Sequence, residues 1–185
     1  MIKNFVRQDL EQALFDMEVM ARAIGIKPFE IYLLGGSGCI LAGYLDRATR
    51  DFDIVDLDYQ ASFGRVLKIL EPYDLIDIQL AAIPVLFKER AMRLKQFQYL
   101  LVYVLSREDI IISKLPRFNN RDRDDISELL NIADVSLVFT LAKSTLDSNM
   151  LPSVKQIFFN NLSYCMEENH VPNYVQQLEK LRKRF

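Results

Sequence analysis

Residues 31–54 decide the fold of this chain and read IYLLGGSGCILAGYLDRATRDFDI. The stretch begins with a short apolar run, which predicts a strand, and the GGSG segment at positions 35–38 ends that run. Residues 39–45 return to types compatible with a helix, and residues 52–57 alternate apolar and acidic side chains, as in a half-buried strand. The stretch therefore predicts a strand, a tight turn, a helix and a second strand in succession.

Two features of this stretch suit phosphate and metal binding. A strand that runs through glycines into a helix gathers backbone N–H groups at the positive end of the helix dipole, where phosphate oxygens bind well. Asp51 and Asp53 share one face of the next strand, because side chains alternate along a strand. Magnesium prefers carboxylate oxygens and shares them with substrate phosphates. Each feature alone is also typical of a plain glycine turn or a solvated sheet face, but the combination favours a phosphate and magnesium site.

Several better-known sites are excluded by the residues present. Tyr44 and Leu45 follow Gly43, where a P-loop requires Lys and then Ser or Thr. Leu41 stands where a dinucleotide-binding fingerprint requires its third glycine. The single histidine, His170, argues against a His-rich zinc site and against a Ser/His/Asp triad. Any metal site is therefore expected to consist of carboxylates.

Length, charge and cysteine content narrow the class of protein further. The 185 residues, half of them hydrophobic, are enough for the core of one domain, and the net charge of -2 is not that of a general polyanion binder. Cys39 and Cys165 lack paired spacing, so we expect no disulfide and a cytoplasmic location. The longest apolar stretch, residues 99–105, is far below the about 20 residues that a membrane-spanning helix needs. We therefore expect no membrane association.

Hydrophobic periodicity predicts the remaining elements. These are helices over residues 9–24, 62–70 and 84–94, a strand over 74–80, a β-rich stretch over 96–105, a helix that Ser106 opens and Pro116 ends or kinks, and helices from Asp122 onward. The predicted fold class is α/β (α+β): a mixed sheet within residues 30–105, flanked by helices, followed by a C-terminal helical bundle. We expect residues 1–105 to form the core and residues 106–185 a helical region packed on it as a single compact unit.

Two basic runs lie outside the motif. The first, at residues 88–95, reads as a solvated helix face in preference to an RNA guide. The second comprises Lys180, Arg182, Lys183 and Arg184, and reads as a helix end at which positive charge complements the helix dipole.

The glycine segment and the acidic strand together resemble a known signature. Gly35-Gly36-Ser37 with a following helix, and then RATRDFDI at residues 47–54, is similar to the nucleotidyltransferase superfamily of the DNA polymerase β type. The Arg-x-Thr-x-Asp-x-Asp variant resembles, more narrowly, the AbiEii-type toxins of abortive-infection and toxin–antitoxin systems. The resemblance implies a nucleotidyltransferase-type mixed sheet flanked by helices.

A second motif of those toxins is also similar to part of this chain. They carry Lys-Leu on a helix and then an Arg-x-Lys-Asp-x-x-Asp segment, which Lys114-Leu115 and residues 121–124 (RDRD) resemble. Aligned in this way, Arg123 replaces the usual lysine and Ser127 stands at the last aspartate, although Asp125 lies two residues earlier. The resemblance covers roughly residues 32–130.

The resemblance implies a magnesium-dependent transfer of a nucleoside monophosphate from a nucleoside triphosphate. Asp51 and Asp53 would be catalytic and would bind the metal, and Asp77 would be the third carboxylate, with Asp74 as the fallback. The implied nucleotide-binding residues are Gly35, Gly36, Ser37, Arg47, Thr49, Lys114, Arg121 and Asp124. The first three would hold the terminal phosphates and Lys114 would neutralise triphosphate charge, whereas Arg121 and Asp124 could equally form an ion pair.

The resemblance leaves the acceptor and the activity open. RNA and protein hydroxyls are the favoured acceptors, and the toxin-like signature implies an antitoxin partner. An alternative, suggested by Ser127 and by the short chain, is a catalytically inactive nucleotide-binding regulator or antitoxin partner with the same fold.

Overall fold

The computed structural model describes residues 4–148 and 150–183 of the chain, so Arg184 of the second basic run lies outside the described residues. The described residues divide into two units. The first contains residues 4–78 and 88–106, and the second contains residues 79–87 and 107–183 apart from residue 149. The division after Ser106 lies beside the predicted boundary, whereas residues 79–87 group with the second unit. The packing of the helical region on the core stays a prediction.

The first unit is a five-stranded sheet with helices between its early strands. In chain order its elements are α1 (Arg7–Ala23), β1 (Glu30–Leu34), α2 (Gly35–Ala42), β2 (Phe52–Val55), α3 (Gly64–Leu67) between 3₁₀ turns at Ala61–Phe63 and Lys68–Leu70, and β3 (Tyr73–Ile76). The single turn α4 (Phe87–Arg90) follows, and β4 (Met92–Arg93) and β5 (Leu101–Val104) complete the sheet. The predicted alternation of helix and strand up to the third strand is confirmed.

The strands are ordered β3-β2-β1-β5-β4. The β1/β5 and β2/β3 pairs are parallel, and the β1/β2 and β4/β5 pairs are antiparallel, so the sheet is mixed as predicted. Leu33 pairs with Ile54 on one face, and Leu34 pairs with Asp53 on the other. Leu33 and Ile54 are fully buried. Asp53 lies on the opposite face, where its neighbours Leu34 and Val55 are buried as well.

Helix α1 shows how an amphipathic pattern builds this core. Its buried residues, Leu10, Leu14, Met17 and Ala21, recur at three- and four-residue steps and therefore form one stripe along the helix. The Asp9 carboxylate accepts a hydrogen bond from the backbone N–H of Val6, which satisfies a donor at the start of the helix. Gly25, with a φ of 72°, follows the helix and allows the chain to turn.

Three predicted elements are shorter than expected. The strand predicted over residues 74–80 ends at Ile76, because β2, its neighbour in the sheet, offers four paired residues and ends at Val55. The helix predicted over residues 84–94 is reduced to α4, since Leu86 adopts a left-handed φ of 60° and the following chain pairs as β4. The β-rich stretch predicted over 96–105 contributes only β5.

The second unit is helical, as predicted. It contains α5 (Arg107–Lys114), α6 (Asn120–Leu130), α7 (Val135–Leu146), α8 (Pro152–Glu168) and α9 (Tyr174–Arg182). Side-chain caps fix two of the starts: Asn119 accepts from the N–H of Asp122, and Asp134 accepts from the N–H groups of Ser136 and Leu137. Among the described helices, none combines the length and the hydropathy needed to cross a bilayer.

Candidate functional site

The junction of β1 and α2 is built around the carboxylate of Asp53. Gly35 has a φ of 56°, a left-handed conformation that glycine adopts without strain, and any Cβ at this position would overlap the Asp53 carboxylate. The N–H of Gly36 donates to Asp53 Oδ2 at 3.2 Å. The carboxylate thus binds the first turn of α2, where negative charge is favoured by the helix dipole. One of the N–H groups predicted to hold phosphate therefore already contacts a protein acid.

Ser37 connects the same two elements from inside the protein. Its hydroxyl accepts a hydrogen bond from the backbone N–H of Asp53 at 3.0 Å and donates to the carbonyl of Leu34 at 3.3 Å. The side chain is fully buried. Both hydrogen bonds of the hydroxyl are internal, so any contact of Ser37 with a terminal phosphate stays a prediction for its backbone in the first turn of α2. Its role in the structure is to fix β2, and so Asp53, against the start of α2.

Thr49 and Arg47 complete the surroundings of Gly36. A Cβ atom added at Gly36 would lie 2.6 Å from Thr49 Oγ1 and 3.0 Å from a guanidinium nitrogen of Arg47. The Thr49 hydroxyl donates to Asp51 Oδ1 at 3.4 Å, and Thr49 is held in place by two backbone hydrogen bonds with Phe5. Asp51, Asp53, Thr49 and Arg47 therefore converge on the glycine segment, as their proximity in the motif predicted.

The sheet register places a different acid from the predicted one beside Asp53. Asp74 is the direct neighbour of Asp53 in the parallel β2/β3 pair, and neighbours in register point to the same face of a sheet. Asp77 was predicted to lie in the same strand, but it follows the end of β3 and is exposed. The fallback residue Asp74 thus has the better position for a third carboxylate.

The two carboxylates of Asp51 and Asp53 suit magnesium, which needs few protein ligands, better than a metal ion that the protein must enclose with three or more. Asp51 and Asp53 are half-buried and converge on one glycine segment. Within residues 4–148 and 150–183, no group of three or more His, Cys, Asp or Glu side chains is close enough to enclose a metal ion. Magnesium is commonly held by one or two carboxylates together with substrate phosphates. The pair therefore fits a metal that arrives with a triphosphate.

Lys114 occupies a buried charge cluster in the second unit, in place of the predicted phosphate-neutralising position. Its ammonium lies 3.0 Å from Asp122 Oδ1 and 2.8 Å from Asp125 Oδ2, and its side chain is only 6% exposed. Burial alone would lower the pKa of Lys114, but the carboxylates of Asp125 and Asp122 outweigh it and raise the pKa. Two hydrogen bonds from Arg117, at 2.8 Å each, reach Asp122. The Lys114 charge is therefore compensated inside the protein.

The second motif uses different aspartates from those predicted. Arg121 and Asp124 are exposed on α6, whereas Asp122 and Asp125 are buried and contact Lys114. Asp122 and Asp125, three residues apart, thus provide the paired acids that the predicted alignment assigned to Asp124 and Ser127. The signal was present in the sequence, because Asp122 lies four residues before Ile126 and so falls on its apolar face.

Replacing Ser37 with alanine tests the link between α2 and β2. The change removes two buried hydrogen bonds and leaves the N–H of Asp53 without its acceptor, so we expect the free energy of unfolding to fall by about 1–3 kcal/mol. Urea denaturation of Ser37→Ala and of Ser62→Ala, whose residue is exposed, provides the measurement and its control. Equal stabilities of the two variants would contradict the internal role of Ser37.

Comparison with known proteins supports the chemistry that this geometry suits. A family model described as "Nucleotidyltransferase of unknown function (DUF6036)" matches residues 12–171. The match includes β1, α2, β2 and β3 of the first unit, and it extends into α8 of the second. Neither a curated protein nor a solved structure matches the chain.

Proposed function

Because the chain belongs to this family of nucleotidyltransferases of unknown function, we propose that it transfers a nucleoside monophosphate from a nucleoside triphosphate to a hydroxyl of RNA or protein. The proposed site comprises Asp51, Asp53 and the first turn of α2. The observation that supports it most strongly is the hydrogen bond from Gly36 N–H to Asp53 Oδ2, since it brings the glycine segment and the acidic strand into direct contact.

The proposed reaction is a displacement at the α-phosphorus. The acceptor hydroxyl oxygen forms the new P–O bond, the bond between the α-phosphorus and the bridging oxygen of the β-phosphate breaks, and pyrophosphate leaves with that electron pair. The hydroxyl proton goes to a carboxylate of the site, and we assign this role to Asp74 in place of Asp77 because of its register with Asp53. Positioning and charge neutralisation account for most of the catalysis of such transfers.

The residues around the glycine segment divide the remaining tasks. Asp51 and Asp53 would hold magnesium, which supplies positive charge against the triphosphate when bound. Thr49 keeps the carboxylate of Asp51 in place through its hydroxyl. Arg47, whose guanidinium lies close to Gly36, would contact phosphate oxygens. Lys114 would act indirectly, because its ion pairs with Asp122 and Asp125 hold α5 against α6.

We further propose that the reaction is of the AbiEii toxin type, with an antitoxin as partner. This narrower proposal is supported by the Arg-x-Thr-x-Asp-x-Asp motif, in which Arg47, Thr49 and both aspartates converge. The alternative of an inactive regulator drew on Ser127. Asp122 and Asp125 have the three-residue spacing of the motif's two aspartates and both contact Lys114, but that register places Asn119 where the motif has arginine, so the departure that suggested the regulator stays.

Label transfer in a cell extract tests the proposed function and identifies the acceptor. The purified protein is incubated with magnesium, each of the four α-labelled nucleoside triphosphates in turn and total extract, and RNA and protein are then separated on gels. We expect a labelled RNA or protein band that requires both magnesium and Asp53. Nucleotide binding without transfer from any of the four would favour the regulator instead.

A further inference from the structure

Two cavities in the second unit contain the same combination of side chains. The first, of about 690 Å³, is lined by Lys155, Arg182, Phe159, Gln156 and Asn160 among others. The second, of about 490 Å³, is lined by Lys143, Lys180 and Phe139, together with the polar side chains of Ser136, Thr140 and Gln177. Each cavity thus combines two cations, one phenylalanine ring and several amide or hydroxyl groups. Both volumes are in the range of ligand-binding pockets.

Among residues 4–148 and 150–183, no carboxylate lies within ion-pair distance of the four cations of these cavities. No carboxylate is among the described residues that line either cavity. Helix α9 supplies Arg182 to the first cavity and Lys180 to the second, because residues two apart point to different sides of a helix. A chain with a net charge of -2 therefore has a local basic surface around α9.

We propose that these two cavities bind the backbone of a single-stranded RNA segment, and this inference rests on the proposed function by identifying the acceptor as RNA. Lysine and arginine neutralise phosphates, while amide and hydroxyl groups bind phosphate and sugar oxygens. The half-buried ring of Phe159 lies beside Lys155 and Arg182 in the first cavity, which suits stacking of a base next to its phosphate. A run of acidic residues such as polyglutamate would pair with the cations but would bring no aromatic base to the phenylalanine side of either cavity.

RNA binding in the absence of nucleotide tests this proposal. The probe is a fluorescein-labelled single-stranded RNA of about 16 nucleotides, and the readout is fluorescence anisotropy over a series of salt concentrations. We expect Lys155→Ala/Arg182→Ala and Lys143→Ala/Lys180→Ala each to raise Kd by about 10-fold at low salt. The slope of log K against log salt should become shallower by about 0.7 for each phosphate that the variant no longer neutralises.

A matched control removes the same charge elsewhere. Lys27→Ala/Lys68→Ala replaces two exposed lysines of the first unit and should leave Kd within twofold of the wild type, roughly the general charge effect. Cavity variants with the same Kd for RNA as the control would overturn the proposal. Polyglutamate that displaces the labelled RNA as effectively as unlabelled RNA does would also overturn it. An Asp51→Asn/Asp53→Asn variant should bind the probe as the wild type does, so a failure of RNA binding is distinguishable from a failure of the transfer chemistry.

Discussion

Replacing Asp53 with asparagine lowers the rate of nucleotide transfer by a factor of about 10³ or more, on the scale expected when phosphoryl-transfer charge stabilisation is lost. Asparagine keeps an oxygen that can accept the hydrogen bond from Gly36 N–H, but it removes the negative charge proposed to hold magnesium. Asp51→Asn has an effect of the same kind, because it removes the charge of the second carboxylate proposed to hold magnesium. Initial rates of α-label incorporation measure both variants.

The control for these variants is Asp58→Asn. Asp58 is exposed, lies beyond the end of β2, and has a φ of 54°, which asparagine tolerates as well as aspartate does. This variant should transfer label at the wild-type rate. Thermal melting should show that all three variants fold. Wild-type activity in a folded Asp53→Asn protein would exclude Asp53 from the site.

Replacing Lys114 with methionine should lower the free energy of unfolding by about 3–5 kcal/mol, the range for breaking a buried ion pair. The change removes the ammonium that both buried carboxylates, of Asp122 and Asp125, contact, while Arg117 still pairs with Asp122. Urea denaturation measures the loss, and Lys27→Met at an exposed position is the control. The triple variant Lys114→Met/Asp122→Asn/Asp125→Asn should lose less stability than Lys114→Met alone, because the one charge that it separates from its partner, that of Arg117, is exposed. Equal decreases in stability for Lys114→Met and for the triple variant would contradict the ion pairing of Lys114 with Asp122 and Asp125.

The same cluster gives a pH dependence with a defined sign. Although burial alone would raise the pKa of Asp122, hydrogen bonds from Arg117 and the charge of Lys114 lower it below the ordinary value of 3.8. A lowered carboxylate pKa contributes stability above the unfolded value, and that contribution is lost as the pH falls through the folded value. The difference in Tm between wild type and Asp122→Asn should therefore shrink as the pH decreases below 3.8. A Tm difference that grows as the pH falls would contradict a lowered pKa of Asp122.

The first half of the site could be predicted from the sequence because its signals are local. The glycine segment and the Asp-x-Asp pattern lie next to each other in the chain, and strand periodicity alone assigns Asp51 and Asp53 to one face. The direction of the Ser37 hydroxyl could not be predicted, since its partner Asp53 is brought to it only by the β1/β2 pairing. The same holds for Asp74, whose position beside Asp53 depends on the β2/β3 register.

The second motif, which comprises Lys114 and the acids of α6, was less predictable, because a pattern of charges does not show which side of a helix is buried. The motif spacing favoured Arg121 and Asp124, which are exposed, over Asp122 and Asp125, which contact Lys114. The apolar stripe of α6, with Ile126 and Leu129 buried, decides between them. The residue types indicated that a lysine and acids of α6 interact, and the packing of α6 determines which acids those are.

The position of the label on the transferred group distinguishes nucleotidyl transfer from phosphoryl transfer at this site. The purified protein, magnesium and the identified acceptor are incubated in parallel with nucleoside triphosphate labelled at the α-phosphate and at the γ-phosphate. Nucleotidyl transfer at the Asp51 and Asp53 site predicts that the α-label becomes attached to the acceptor while the γ-label is released as pyrophosphate. Attachment of the γ-label would instead show phosphoryl transfer, and would contradict the account.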